Sequence, residues 1–298
     1  MTGGFNAFSP TTTWILRCSL VCLYAWCPSG PLYVVALDRT EWHFGQRPVN
    51  VLTVGIAHRG ICFPIAWNVL PTGGSSGAGE QTKVLERFLL ERFLAAVDPT
   101  SIEAVVADRK FIGTQWLRHL KAREIPFAVR LRSNRRIGLA SQESLPEGPA
   151  LPARMFARPL SVGEERVLDG ERHLSGTEGD QVATGVVVRR IAPASSEADD
   201  RFLILATWGV ALDEATELYR RRWEIETLFA ALKSRGFKLE KTHLTVPERN
   251  ERLMGLLALA FAWTRLVGQK RVWRQGEPPM RSHGRPERSL FRYGLDWL

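Results

Sequence analysis

The chain has 298 residues, 45 % of them hydrophobic, with 10 Trp and 14 Phe, so it holds ample core material for one large domain with an insertion or for two modest ones. That composition excludes disorder as the default reading. The net charge is +9; residues 219–298 hold 17 Lys and Arg against 8 Asp and Glu, while the residues before them balance, so the last stretch carries the whole excess. A basic third on a balanced body implies a polyanionic partner or a solvated basic tail.

Residues 1–30 show no clear periodicity and stand apart as an atypical N-terminal segment. Within them, 14–27 is apolar but contains Arg17; it is too short to span a bilayer and lacks the flanks of a secretory signal. No membrane partner is expected. The four cysteines, Cys18, Cys22, Cys27 and Cys62, follow no zinc spacing, and none of the six His completes one. They read as free thiols in a reducing, cytoplasmic compartment.

Next comes a continuous apolar run at 32–37, which predicts a buried strand ending at Asp38. Runs at 51–57 and 61–67, separated by His58-Arg59-Gly60, predict a hairpin. Residues 71–79 read as a Gly/Ser loop, and 80–97 as a helix with Phe88, Leu89 and Phe93 on one face. A buried strand at 104–107 ends at Asp108, a helix follows at 112–123, and 126–131 is a further strand. Residues 133–205 have short, alternating apolar runs and read as a β-rich insertion, closing with a strand at 202–206. Helices are expected at 213–235 and 247–267. Residues 269–298 read as a basic C-terminal tail. The order predicts an α/β fold whose layout matches a ribonuclease-H-like core, at 31–132 and 206–268.

Asp38 and Asp108 share a context: each follows a buried apolar strand and precedes Arg. Carboxylates at strand C-terminal ends point into the crevice where α/β sheets bind ligands, and two together repel unless a cation lies between them. A divalent metal supplies one. An Asp capping the turn after a strand is the plain alternative. On helix 213–235, Asp213 is placed to cap the start and Gly236 to follow the end. With Tyr219 set at zero on the helical wheel, Arg222 falls at about −60°, Glu226 at about −20° and Lys233 at about −40°. The four line one stripe at the rim of the apolar face, whereas Glu224 falls at about 140°, near Arg221 and Arg235, and reads as solvated. An Arg222–Glu226 surface ion pair fits the wheel as well as an active site does.

The spacing Tyr219-x2-Arg222-x3-Glu226-x6-Lys233 resembles the Y-R-E-K signature of the IS-four-type family of bacterial insertion-sequence transposases. The text around Asp38 (Ala36 to Thr40) and around Asp108 (to Gly113, with Trp116) is similar to that family too, as is the run from Ile125 to Arg130 with Asn134. The resemblance spans about residues 30–295, and it implies a DDE active site. Asp38, Asp108 and Glu226 would hold two Mg²⁺ ions, with Mn²⁺ as a substitute, for attack by water and then by a DNA 3′-hydroxyl on phosphodiesters. Tyr219, Arg222 and Lys233, with Arg130 and Asn134, would contact DNA phosphates. The implied partners are double-stranded DNA, as transposon ends and target, and a second copy in a synaptic complex. Only 37 residues precede Asp38. A shortened, non-catalytic product that binds DNA or inhibits an intact transposase is therefore the alternative.

Overall fold

The computed structural model describes residues 32–44, 47–70, 80–111, 113–139, 150–175, 181–193, 195–233, 235–244, 246–282 and 286–298. The apolar segment 14–27, Cys18, Cys22, Cys27 and the loop 71–79 lie outside them. The chain is mixed α/β and divides into two compact units. One is built from Leu32–Leu37 and Asp98–Trp223; among the described residues, the other is built from Asp38–Val97 and Glu224–Leu298.

The unit containing Asp98–Trp223 is organised by a sheet. The first residues of β1 (Tyr33–Phe44) run parallel to β4 (Ile102–Ala107), which runs parallel to β5 (Phe127–Arg130). β10 (Phe202–Trp208) then pairs antiparallel with β5. The sheet continues through β9 (Gln181–Arg190), β8 (Glu165–Ser175), β6 (Arg136–Leu139) and β7 (Leu151–Pro152). Apart from Glu103 and Arg130, strands β4 and β5 are apolar and almost wholly buried, as a parallel strand covered on both faces must be. Helix α2 (Thr114–Ala122) makes the β4–β5 crossover and buries Trp116, Leu117 and Leu120. Its polar side reaches β9, where Arg118 donates to the Gln181 carbonyl and Lys121 to the Ala183 carbonyl. Two short helices, α3 (Arg154–Ala157) and α4 (Ala198–Arg201), flank β10, and α5 (Ala215–Arg220) packs on β4, β5 and β10.

The other unit holds the rest of β1 with the hairpin of β2 (Arg47–His58) and β3 (Ile61–Leu70), in the order β3-β2-β1. Arg59 (φ 51°) and Gly60 (φ 82°) make the two-residue turn, both left-handed, which matches the twist of an antiparallel pair. Helix α1 (Glu80–Leu94) packs on β2 and β3. Helix α6 (Trp223–Leu232) starts at the boundary between the units. Helix α7 (Pro247–Gln275) covers β3 and crosses α8 (Leu290–Leu295). Phe261 links the layers, edge-on to Phe63 at 6.0 Å and stacked on Phe291 at 5.1 Å between ring centroids. At the crossing, a Cβ on Gly294 would collide with the Thr264 carbonyl and the Gly268 backbone, and one on Gly268 with the Leu290 carbonyl, so the helices touch backbone to backbone.

Four expectations are corrected. Asp38 does not end its strand: β1 continues to Phe44, with Thr40 and Trp42 buried between the less buried Arg39, Glu41 and His43. That alternation is a half-buried strand, which a search for continuous apolar runs passes over. The expected helix 213–235 is two helices, α5 and α6. At the break, Arg221 N–H bonds the Leu218 carbonyl and Arg222 N–H the Tyr219 carbonyl, three residues back rather than four. No Pro or Gly causes it. At this break Arg221 pairs with Glu103 on β4 (3.4 Å) and Arg222 is buried. The helix start moves with it: Glu214, not Asp213, stands at the N-cap position, without a side-chain bond, and Gly236 lies beyond the Leu232 end, where it allows the chain to pass Ala231 and Phe291 closely. Finally, α7 runs to Gln275, past the expected end at 267, until Gly276 (φ 84°) stops it.

Candidate functional site

The parallel strands set the geometry in the Asp98–Trp223 unit. Leu37 pairs with Ala107 and Ala107 with Val129, one row across β1, β4 and β5. The residues that follow them in the chain are Asp38, Asp108 and Arg130. Asp108 directly follows β4, as expected from the sequence, and its carbonyl accepts the Phe111 N–H of the turn beyond. Its Oδ1 is buried and accepts no hydrogen bond among the described residues. Arg130 is half-buried at the end of β5, and its Nη2 donates to the Phe202 carbonyl at 3.3 Å.

Above this row, α5 presents Tyr219, which is 4 % exposed. Burial raises the phenol's pKa above the ordinary value; the Arg222 cation lowers it, the Asp108 carboxylate raises it and the Arg130 cation lowers it. Tyr219, Arg222, Asp108 and Arg130 therefore share one electrostatic environment. Arg222 is 5 % exposed, with its guanidinium carbon 4.8 Å from the Trp223 ring centre and 5.9 Å from that of Tyr219. Trp223 is 61 % exposed and forms the outer wall of this stack. Sequence reasoning missed Trp223; its place directly after Arg222, at the helix break, was the available signal. Two ion pairs flank the group, Arg221 with Glu103 and Arg109 with Asp200 at 3.6 Å. Asn134 is exposed, in the turn after β5.

In the other unit, Asp38 is buried and its Oδ1 accepts the Arg39 N–H at 2.7 Å. Lys233, just after α6, donates from Nζ to the Glu41 carbonyl of β1 at 2.7 Å. The Glu41 carboxylate takes the Asn50 amide at 3.3 Å and faces His43 at 3.4 Å. Glu226 is exposed in the first turn of α6, where the helix dipole favours acids. Glu224 is not solvated as expected. It is half-buried, with Oε2 enclosed, and it helps burial push the Cys62 thiol well above its ordinary range. The two i→i−3 bonds at Arg221 and Arg222 interrupt the helix on which that wheel is drawn.

Among the described residues, no group of three or more His, Cys, Asp or Glu side chains is gathered closely enough to hold a metal ion. The donor chemistry nonetheless suits a hard divalent cation: the candidate ligands are all carboxylate oxygens, and Asp108 offers a buried acceptor that takes no hydrogen bond among the described residues. No helix among the described residues is long and apolar enough to cross a membrane.

Comparison with curated proteins finds no match. The family model described as Transposase DDE domain matches residues 68–263, about two-thirds of the chain, from the end of β3 to the middle of α7. That span includes Asp108, Tyr219, Arg222, Glu226 and Lys233 and begins after Asp38. The chain belongs to the Transposase DDE domain family.

Proposed function

We propose that the protein is a DNA transposase of the IS-four type, cutting and joining DNA at an insertion-sequence end through Asp38, Asp108 and Glu226 on a ribonuclease-H-like core. The observation that carries this reading is the row Leu37, Ala107, Val129, because the next residue on the first two strands is a candidate acid. Asp108 directly follows β4, where α/β sheets bind ligands, and Asp38 lies within β1 just past its parallel pairing with β4. In this reading Asp38, Asp108 and Glu226 hold two Mg²⁺ ions, which activate a water or 3′-hydroxyl and offset charge on the phosphate. The candidate DNA contacts then differ in kind. Asn134 is exposed and meets a phosphate directly. Arg222 and Arg130 share the electrostatic environment of Tyr219 with Asp108, and Lys233 fastens the end of α6 to the strand that carries Asp38.

The test supplies cognate transposon ends and Mg²⁺ to the full chain. Nicking and joining by the wild type, lost in Glu226→Gln and in Asp108→Asn, is the expected outcome. Nicking without joining would reduce the protein to a nuclease. DNA retardation with no nicking under Mg²⁺ or Mn²⁺ would replace this reading with a non-catalytic DNA-binding one.

A further inference from the structure

Helix α7 has an outer face that the carboxylate site does not use. At about 100° per residue, Arg249, Arg252, Leu256, Trp263, Lys270 and Arg274 fall within a stripe of about 60°, with Trp273 beside it. All are exposed, Trp263 at 61 % and Trp273 at 84 %, while Met254, Phe261 and Thr264 are buried on the far side. Exposed indoles on this scale are unusual unless something covers them. From Arg252 to Gln275 the helix contains no Asp or Glu. Among the described residues, none of Arg249, Arg252, Lys270 and Arg274 has an ion-pair partner.

We propose that this face of α7 binds an unpaired DNA strand, with bases stacked on Trp263 and Trp273 and backbone phosphates held by Arg249, Arg252, Lys270 and Arg274. Charge decides the occupant. Two-fold antiparallel pairing with a second copy would set Arg249 against Arg274 and Arg252 against Lys270, and parallel pairing would set each cation against itself; both repel. A polyanion does the reverse. The stripe runs from Arg249 to Arg274 over about 38 Å, at 1.5 Å per residue, with its apolar surface in the middle and its cations towards the ends. Duplex DNA hides the faces of its bases, so the indoles would gain little from it. An unpaired strand offers both base faces for stacking and phosphates for the cations. This binding needs none of the three candidate acids and no metal, so it stands or falls apart from the cleavage reading.

The experiment uses the full chain with a chelator present, a labelled thymidine oligonucleotide and a blunt duplex of the same length, read by fluorescence anisotropy and by indole quenching. The single strand is expected to bind more tightly than the duplex. Replacing Trp263 and Trp273 together by Ala should weaken it about tenfold or more, and replacing both by Phe should restore most of the affinity. Lys270→Gln with Arg274→Gln should flatten the log–log salt slope by about 1.4. All four side chains are exposed, and circular dichroism confirms that the variants fold. Unchanged affinity in the double-Ala variant overturns the proposal. So does equal binding of the duplex, a dimer in sedimentation that Trp263→Ala dissociates, or binding to phosphatidylserine vesicles that the double-Ala variant loses while its oligonucleotide affinity stays intact.

Discussion

Arg222→Ala separates a structural role from a purely DNA-facing one. A residue that only grips phosphate would be dispensable to the fold, yet Arg222 is buried beneath Trp223. The two methylenes that Ala lacks, Cγ and Cδ, at about 0.8 kcal/mol per buried CH₂, contribute about 1.6 kcal/mol. The Trp223 contact at 4.8 Å adds about 0.5–1 kcal/mol, and the Tyr219 ring at 5.9 Å lies near the limit of the interaction. Removing the guanidinium also relieves the cost of burying a charge, which offsets part of this. The expected loss is about 2 kcal/mol. In urea unfolding followed by Trp fluorescence, an m-value of about 3 kcal/mol/M turns that into a midpoint lower by about 0.7 M. Arg222→Lys keeps the stem and the charge but not the flat stacking surface, and it should recover more than half of the loss. A change below about 0.5 kcal/mol in Arg222→Ala would refute the reasoning and return Arg222 to a role at the DNA alone.

Three further outcomes follow from the packing and the buried acids. Gly294→Ala places a methyl against the Thr264 carbonyl and the Gly268 backbone, neither of which can swing away, so it should cost about 1–3 kcal/mol in thermal unfolding; an unchanged Tm would mean that α7 and α8 separate without cost. Cys62 should resist iodoacetamide in buffer at about pH 8 and label in urea, because burial and then Glu224 hold its thiol protonated; peptide mapping that finds it labelled at the free-thiol rate in the native protein refutes this. Glu251 on α7 has its pKa raised by burial, against the opposing pull of the Val69 N–H and of Arg92, with Glu248 adding to the rise. The folded state therefore holds its proton to higher pH than the unfolded state does. Stability from that proton is complete below the ordinary carboxylate range and is lost as pH rises through the folded value. Glu251→Gln should therefore gain on the wild type as pH rises from acid to neutral, and a flat difference across that window would rule the effect out.

The parts of the fold legible in the sequence were those fixed by neighbouring residues. Arg59-Gly60 announced its hairpin, and the buried run before Asp108 announced β4 and its end. The α7 helix was legible to its apolar end at 267, but its true stop lay in Gly276 and the prolines beyond, a signal that hydrophobicity alone does not carry. The second half of β1 was written in plain alternation, with Thr40 and Trp42 inward, and was missed because the parallel half before it trains the eye on unbroken apolar runs. The break at Arg221-Arg222 was not legible at all. Nothing in that stretch disfavours a helix; the contacts made there are tertiary, with Glu103 more than a hundred residues earlier and with the Trp223 ring over Arg222.

That break changes what the Y-R-E-K spacing can be taken to mean. A motif read at fixed intervals invites a continuous helix with all four groups on one stripe. In the folded chain, Tyr219 precedes the break, Arg222 lies within it, Glu226 follows it on α6, and Lys233 comes just after that helix ends. Tyr219 and Arg222 are buried beside Asp108, Glu226 is exposed at the start of α6, and Lys233 is spent on the Glu41 carbonyl of β1. The same spacing therefore holds residues in three different settings: buried beside Asp108, exposed at the start of α6, and bonded to the strand that carries Asp38. A substitution that straightened the segment into one helix would preserve every letter of the motif. It would still remove the two i→i−3 bonds that separate α5 from α6.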